Sequence, residues 1–581
     1  MKTISSKKTK ALRLDIDKFE GIDSRFTHSN PKGSSDIVNF RILPDGSLKK
    51  RYGYRILAQL EYDIRAMWSG IIDGKFTGFV LVREKVKQLD FETGALTDVG
   101  TVNSYDSEAQ FFYYQSSLYL VDGYRIYLIR PHDVSFPHGY IPLVGKDWRD
   151  TYRGAPYERR NLLNNKGRIT YVISDDPSVY LKTDEEISSI DLILINGEVI
   201  NNSRYSITAM SRTVAVEGME PGDRVEMFFT YANFPYTEAY EGLLTNTRAM
   251  VFGGINNFRP FLWGGRKGMM YTAAYVSEDA LAASRMCDSR SDALYFPVGY
   301  EFTVGDGASE ITAVSRHYDR LLIFNENGAW MANSSSCGVD DFPVLNINSH
   351  AGVLSQGAAA MLGNRPCTVG QTTIYRWTSS TDEFDECNAY SISEQIDDLL
   401  PPDFYKSATV FSDTARGELY FCSPALGDVV WVYSEKNGSW VRFNGISADR
   451  FISCGDEVGF IRGKTIYVFD KSLTVDMPEA YTAQTIRASY TSNSMTFDTD
   501  GKKRLYGVTL CGSGGSPLLC VALNGQDGYP ISHEMALRGA QCTVTRRTRS
   551  TRFENMLLAI YCEDNEPTTI RSVSIQARLK D

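Results

Sequence analysis

Residues 417–443 read GELYFCSPALGDVVWVYSEKNGSWVRF. The stretch is a short apolar strand, a turn, a second strand rich in β-branched and aromatic residues, a tight Asn437-Gly438 turn, and a third strand. Aromatic and β-branched residues suit a pleated, half-buried surface, and Asn-Gly favours the positive φ values of a hairpin turn. Related text recurs: FTGFVLVREKVKQLDFETG at 76–94, FFYYQSSLYLVDGYRIYLI at 111–129, ITAVSRHYDRLLIFNENGAWMA at 311–332, GNRPCTVGQTTIYRW at 363–377 and GFIRGKTIYVFD at 459–470. Phe91, Tyr127, Trp330, Trp377, Trp431 with Trp440, and Phe469 hold comparable places in these units. The later units recur at about 40 to 50 residues, the spacing of four-stranded propeller blades. A lone blade cannot bury both faces, and stacking blades about an axis solves this while protecting strand edges. The fold class predicted is all-β, a β-propeller of about six or seven blades.

Working outward, Asp45-Gly46, Asp73-Gly74, Asp122-Gly123, Asn196-Gly197, Asp306-Gly307, Asn327-Gly328 and Asp500-Gly501 are further hairpin signals. The repeat is interrupted after Pro142. Residues 157–232, with LILINGEVI and TVAVEGMEPGDRVEMFFTY, predict a small β-sandwich inserted between two blades, since exposed loops tolerate insertion. Residues 481–581 predict a C-terminal β-sandwich of about a hundred residues. The expected division is an N-terminal arm over 1–35, propeller over 36–156 and 233–480, and the two sandwiches. Convincing helical text is scarce, the best candidates being the short stretches around residues 277–286 and 393–400.

The chain has 581 residues and a formal charge of −10, which argues against a protein that grips the outside of duplex DNA. An acidic wall around sliding DNA stays open, because it repels phosphate. The ten cysteines all lie from Cys287 onward and form no CxxC, so buried free thiols are expected in place of a zinc site. The basic start MKTISSKKTKALRLD lacks an apolar run, so no secretory signal is expected. No stretch approaches the roughly 20 apolar residues of a membrane span.

Catalysis needs groups that converge. His28, His132, His138, His317, His350 and His533 include no HExxH, and no GxSxG accompanies them. Residues 459–465 resemble a phosphate loop, but Val458 occupies the required glycine position and the text runs into a strand, so a hairpin is expected. Residues 434–440 are an imperfect Asp-box turn, with Lys436 where the aspartate belongs. Asp340-Asp341 and Asp397-Asp398 would serve a glycosidase only if they faced each other across a cleft, and solvated loop acids are the expectation. Three basic clusters stand out: Lys7, Lys8, Lys10 and Arg13; Lys49, Lys50 and Arg51; and Arg546, Arg547, Arg549 and Arg552. Each reads as a solvated face or a subunit contact. The prediction is a non-enzyme with no catalytic residue, cofactor or metal.

The stretch DIVNFRILPDGSLKKRYGY, residues 36–54, resembles the opening of the tail nozzle proteins (tail tubular protein B) of short-tailed bacteriophages. Their phrase G-x-L-x-K-R-x-G is matched by Gly46, Leu48, Lys50, Arg51 and Gly53, with Tyr52 in place of the usual proline. RLLIFNENGAWMA and IYRWTSS with SISEQIDDLL are similar in style to the same proteins. The resemblance implies a virion structural protein, made in the host cytoplasm and placed in the tail. It implies a ring, six-fold in the family, that meets other tail proteins such as adaptor and fibres while duplex DNA passes through. The alternative expectation is a glycan-binding or glycan-degrading propeller at the host surface.

Overall fold

The computed structural model describes residues 10–25, 33–149, 155–174, 180–208, 210–253, 258–318, 320–333, 344–378, 388–497, 499, 501–524, 531–548 and 550–579. The protein is nearly all-β, with 54% strand and 6% helix. Four-stranded antiparallel meanders dominate. They cover residues 64–101, 110–135, 248–303, 313–348, 359–391 and 409–444. A seventh is made of three strands within 450–470 and a fourth, Gly53–Gln59, from near the start of the chain. The first strands of meanders one and two, two and three, four and five, five and six, six and seven, and seven and one lie against each other. Meanders three and four share a core that includes Phe252, Phe261, Trp263, Val314 and Leu321. The arrangement therefore returns to its start, and each meander buries its faces against its neighbours.

Local chemistry explains the meanders. Asp73 and Gly74 both take positive φ (51° and 77°) between strands Ile64–Ile72 and Lys75–Val82, as do Asn196 and Gly197 (51° and 87°) in the insertion. Such turns match the twist of paired strands. The repeated aromatic falls mostly on the third strand: Tyr127, Trp330, Trp377, Trp431 and Phe469 are there, Phe91 lies just after its third strand, and Trp440 is on a fourth. Trp377 and Trp440 are fully enclosed, and burying a large apolar side chain is worth about 1.5–3 kcal/mol. Meander three has no counterpart in the repeat text, because helix Glu278–Cys287 intervenes between its third and fourth strands.

The insertion lies between meanders two and three. Its strands begin at Leu143–Arg149, ahead of the expected start at 157, and end at Arg224–Tyr231. Its strands form one continuous eight-stranded sheet. Strand Tyr180–Ile195 bulges between Lys182 and Ser189 and passes from one partner, Ser211–Val216, to another, Arg224–Tyr231. The sheet wraps its own core of Trp148, Ile169, Tyr171, Val214, Met227 and Phe229. Its root is tied to meander three: the Asn161 amide donates to the carbonyls of Tyr140 (2.9 Å) and Leu294 (3.0 Å).

The C-terminal strands belong to two sheets, and Tyr490, Leu519 and Ile560 of one share a core with Val508 and Val573 of the other. One continues meander six. Its last strand, Ser439–Asn444, is followed by Ser34–Val38, Ala488–Ser492, Met556–Cys562, Leu518–Leu523 and Ile531–Glu534. The other contains Phe40–Ile42, Leu48–Lys50, Thr569–Leu579, Lys503–Ser513 and Cys542–Arg547, with Ala11–Ile16 beside Thr569–Leu579. The boundary expected at residue 35 is thus not where the pairing changes. Residues 11–16 and 34–50 belong with the C-terminal strands, and Gly53–Gln59 is the first strand to join a meander.

Candidate functional site: a charged junction

The phrase from Ser34 to Tyr54 builds the join between the meanders and the C-terminal sheets. Ser34–Val38 pairs with Ala488–Ser492, and its one register position on meander six is Val38–Arg442. Asn39 then leaves the strand with φ 55°. Asn and Asp tolerate that region better than other side chains. The Asn39 backbone N–H donates to the Arg442 carbonyl (2.9 Å) and its side-chain amide donates to the Arg487 carbonyl (2.8 Å). Its Oδ1 accepts from Arg51 Nε (2.8 Å) and the Asn444 backbone N–H (3.0 Å).

Arg51 is 2% exposed. Its guanidinium grips Asp476 through two bonds, of 2.7 and 2.6 Å, and donates to the carbonyls of Tyr52 and Asn444 at 3.1 Å each. With the Asn39 bond, all five guanidinium N–H groups have acceptors. A buried charge costs several kcal/mol unless it is paired and fully hydrogen-bonded, and this one is. The rest of the phrase is equally committed. Gly46 closes a turn at φ 82°. A side chain at Gly53 would place its Cβ 1.8 Å from the Val475 carbonyl oxygen. Leu48 is enclosed in the core. The buried Lys50 ammonium donates to the Asp564 carbonyl, and burial lowers its pKa. Arg41 pairs with Glu418 and donates to the Tyr420 hydroxyl (2.7 Å). Desolvation disfavours the Arg41 charge, but Glu418 and Tyr420 outweigh it and hold its pKa above the usual value.

Beside this knot opens a cleft of about 550 Å³, lined by Asp36, Arg51, Arg442, Asp476, Arg487 and Glu563 among others. Arg442 holds Asp36 through bonds of 2.8 and 2.7 Å, both side chains being about a third exposed. The two aspartates that line the cleft are therefore each committed to an arginine. Burial pushes the Cys367, Cys422 and Cys562 thiols up to about 12. The eight described cysteines are unpaired, while Cys337 and Cys387 lie outside the described residues. Among the described residues no group of three His, Cys, Asp or Glu is placed to hold a metal ion.

The other motifs fall into structural places. Residues 459–465 span the hairpin of Glu457–Arg462 and Thr465–Asp470. Residues 434–440 span another hairpin, and the Trp440 indole donates to the Ile392 carbonyl (2.7 Å). His317 is buried at the end of strand Ala313–His317, and His138 Nδ1 lies 3.2 Å from Asp288. Asp397 accepts from the hydroxyls of Ser393 (2.6 Å) and Thr373 (3.1 Å) and so braces a turn. His28, Asp340, Asp341, Lys7, Lys8 and Arg549 lie outside the described residues. Of the basic clusters, Lys49 covers the Tyr52 ring, Lys50 and Arg51 are buried in the junction, and Arg547 is exposed. Asp476 was missed by sequence reasoning. It is 425 residues from Arg51 and carries no local signal.

A second network crosses between meanders. Arg248, on the first strand of meander three, reaches Glu108 (3.0 Å) ahead of meander two and Gln356 (2.6 Å) ahead of meander five. Arg450, on the first strand of meander seven, donates to the Ile64 and Arg65 carbonyls of meander one at 3.2 Å. No helix among the described residues is long and apolar enough to cross a membrane.

No family model and no curated protein matches the sequence. Among solved structures, the computationally designed Ika8 protein aligns at 11% identity over 71% of this chain and 99% of its own, with a TM-score of 0.34. PorZ, a surface component of the type-IX secretion system of Porphyromonas gingivalis, aligns at 11% identity over 76% of this chain and 42% of its own, with a TM-score of 0.35. The AfRom2 CNH domain aligns at 6% identity over 72% and 99%, with a TM-score of 0.34. Likenesses this weak carry no argument about what the chain does.

Proposed function

We propose that the chain is a non-catalytic structural protein of a bacteriophage tail, in a nozzle or hub role. In this reading the seven meanders are the seven blades of a propeller, closed by strand Gly53–Gln59, with an inserted β-module and a C-terminal sandwich. Several copies form a ring on the path of the ejected DNA and meet adaptor and fibre proteins of the tail. The protein is made in the host cytoplasm and resides in the virion.

The observation that carries this reading is the junction. The phrase that resembles the tail nozzle proteins is spent wholly on fixing the propeller to the C-terminal sheets, with Arg51 saturated and Gly53 pressed on backbone. That is the chemistry of a rigid frame. The Arg248 bridge to Glu108 and Gln356 also ties together the first-strand ends of different blades, so the duplex would pass between copies and not along a propeller's own axis. Mass determination in solution followed by cryo-electron microscopy tests the proposal. A closed ring whose opening is bounded by several copies is expected, and a persistent monomer would overturn it.

One feature favours the glycan reading. Tyr62 and Tyr105, each about half exposed, flank Arg83, whose guanidinium carbon lies 3.2 and 4.9 Å from their ring centres. Exposed planar groups of this kind can stack on sugar rings. Polysaccharide binding lost in Tyr62→Ala and Tyr105→Ala would promote that reading.

A further inference from the structure

The outer face of one C-terminal sheet gathers positive charge that no acid among the described residues pairs with. Arg504 and Arg578 lie directly opposite each other on adjacent antiparallel strands, and both are exposed. Like charges placed so destabilise a sheet. Arg547 is level with Gly507, Gly507 with Gln576, and Gln576 with Arg13, which makes a row across four strands. Gln576 Oε1 lies 3.3 Å from where a Gly507 Cβ would sit, so the two share a face, and Arg13 and Arg547 in the same row are exposed. Arg578 stands 4.7 Å over the Tyr506 ring. The acid in the next row, Asp15, is held by Arg13 at 2.9 Å. Among the described residues no ion pair forms with Arg504, Arg547 or Arg578.

The second part of the insertion carries the opposite charge: residues 180–231 hold nine acids against four bases. At its far end Glu198, Glu217 and Glu220 are exposed and have no ion-pair partner among the described residues, next to Val199, which is 64% exposed. Bonds between neighbouring turns hold this end in shape: the Asn196 amide donates to Asp223 (2.8 Å), and the Arg204 guanidinium donates to the Glu217 and Gly218 carbonyls (2.8 and 2.9 Å). Arg212 and Arg224 are exposed bases of the same module.

Topology places the two surfaces half a turn apart. The insertion leaves between meanders two and three, and the C-terminal sheets continue meander six. Meanders three, four and five separate them one way round, and seven, one and two the other. Complementary surfaces on opposite sides of a subunit are what a head-to-tail ring requires. We propose that the basic face around Arg504, Arg547 and Arg578 docks the acidic end of the insertion, around Glu198, Glu217 and Glu220, of a second copy of this chain. The contact rests on the ring reading above and names the surfaces that would close it.

Charge reversal in the full-length protein is the test. Arg504→Glu, Arg547→Glu and Arg578→Glu together make one variant, and Glu198→Arg, Glu217→Arg and Glu220→Arg together make the other. Each is expected to keep its melting temperature and to weaken self-association by about a hundredfold or more, because like-charge contacts at an interface are strongly disfavoured. Mixed in equal amounts, the two variants should assemble again in alternation, and the wild-type ring should loosen as salt rises. A ring that survives both reversals overturns this contact while leaving the ring reading intact. Folded variants that fail to recover on mixing overturn it as well. Loss of duplex-DNA binding by the arginine variant, with the ring unchanged, would assign the face to nucleic acid. A wild type that is monomeric at every concentration overturns both the contact and the ring.

Discussion

Arg51 and the pair Arg504–Arg578 have the same side chain and opposite fates. Arg51 is enclosed, and each of its N–H groups meets an acceptor within the chain. Arg504 and Arg578 face each other in solvent with no acid assigned to either among the described residues. Enclosing a charge is tolerable only when every bond is made, so the first arrangement specifies one geometry of the frame. Two like charges side by side disfavour the fold, and the Tyr506 ring under Arg578 offsets this only in part, so the second arrangement leaves charge free for a partner. Charge in this molecule thus does two jobs, and mutation should separate them.

The most damaging change should be Gly53→Ala. Its Cβ would fall on the Val475 carbonyl, which is backbone and cannot swing aside. A loss above about 4 kcal/mol is expected by denaturant unfolding. A melting temperature near wild type would show that the closing strand can shift. Next comes Asp476→Ala, which leaves the Arg51 charge buried and unpaired and should cost about 3–5 kcal/mol. Asp36→Ala removes the partner of Arg442, but both groups are about a third exposed, so solvent screening limits the loss to about 1 kcal/mol or less. If Asp36→Ala proved as harmful as Asp476→Ala, the contrast between enclosed and open charge would fail. Smallest of all, Arg504→Thr should leave the monomer within about 0.5 kcal/mol of wild type, or slightly more stable, since it removes a like-charge neighbour. A clear destabilisation would mean that Arg504 supports the fold.

The same contrast explains what was legible in the sequence. Hairpins announce themselves locally. Asp73-Gly74 and Asn196-Gly197 sit where their positive φ is needed, and the third-strand aromatics repeat within one turn of their neighbours. Meander three was hidden because a helix breaks its spacing. The insertion was located, but its strand that changes partners through bulges looks like two strands in text. Long-range pairing leaves no local trace. Ala11–Ile16 was read as part of an arm because its partner, Thr569–Leu579, is at the other end of the chain. For the same reason the phrase at Gly46 to Gly53 was visible, while its purpose emerged only with Asp476, Leu473 and Val475 in place.

Strand Gly53–Gln59 also sets a timetable. It leaves the ribosome some four hundred residues ahead of its partner, Thr465–Asp470. At about 5–20 residues per second, the strand waits roughly 20 to 80 seconds with its edge open. Strand Ala11–Ile16 waits longer still, for Thr569–Leu579. A product truncated before Thr465 lacks both fasteners, and one truncated between Asp470 and Thr569 lacks the second. Only a chain translated to its last strands can complete its frame, so unfinished copies are barred from any assembly that needs that frame.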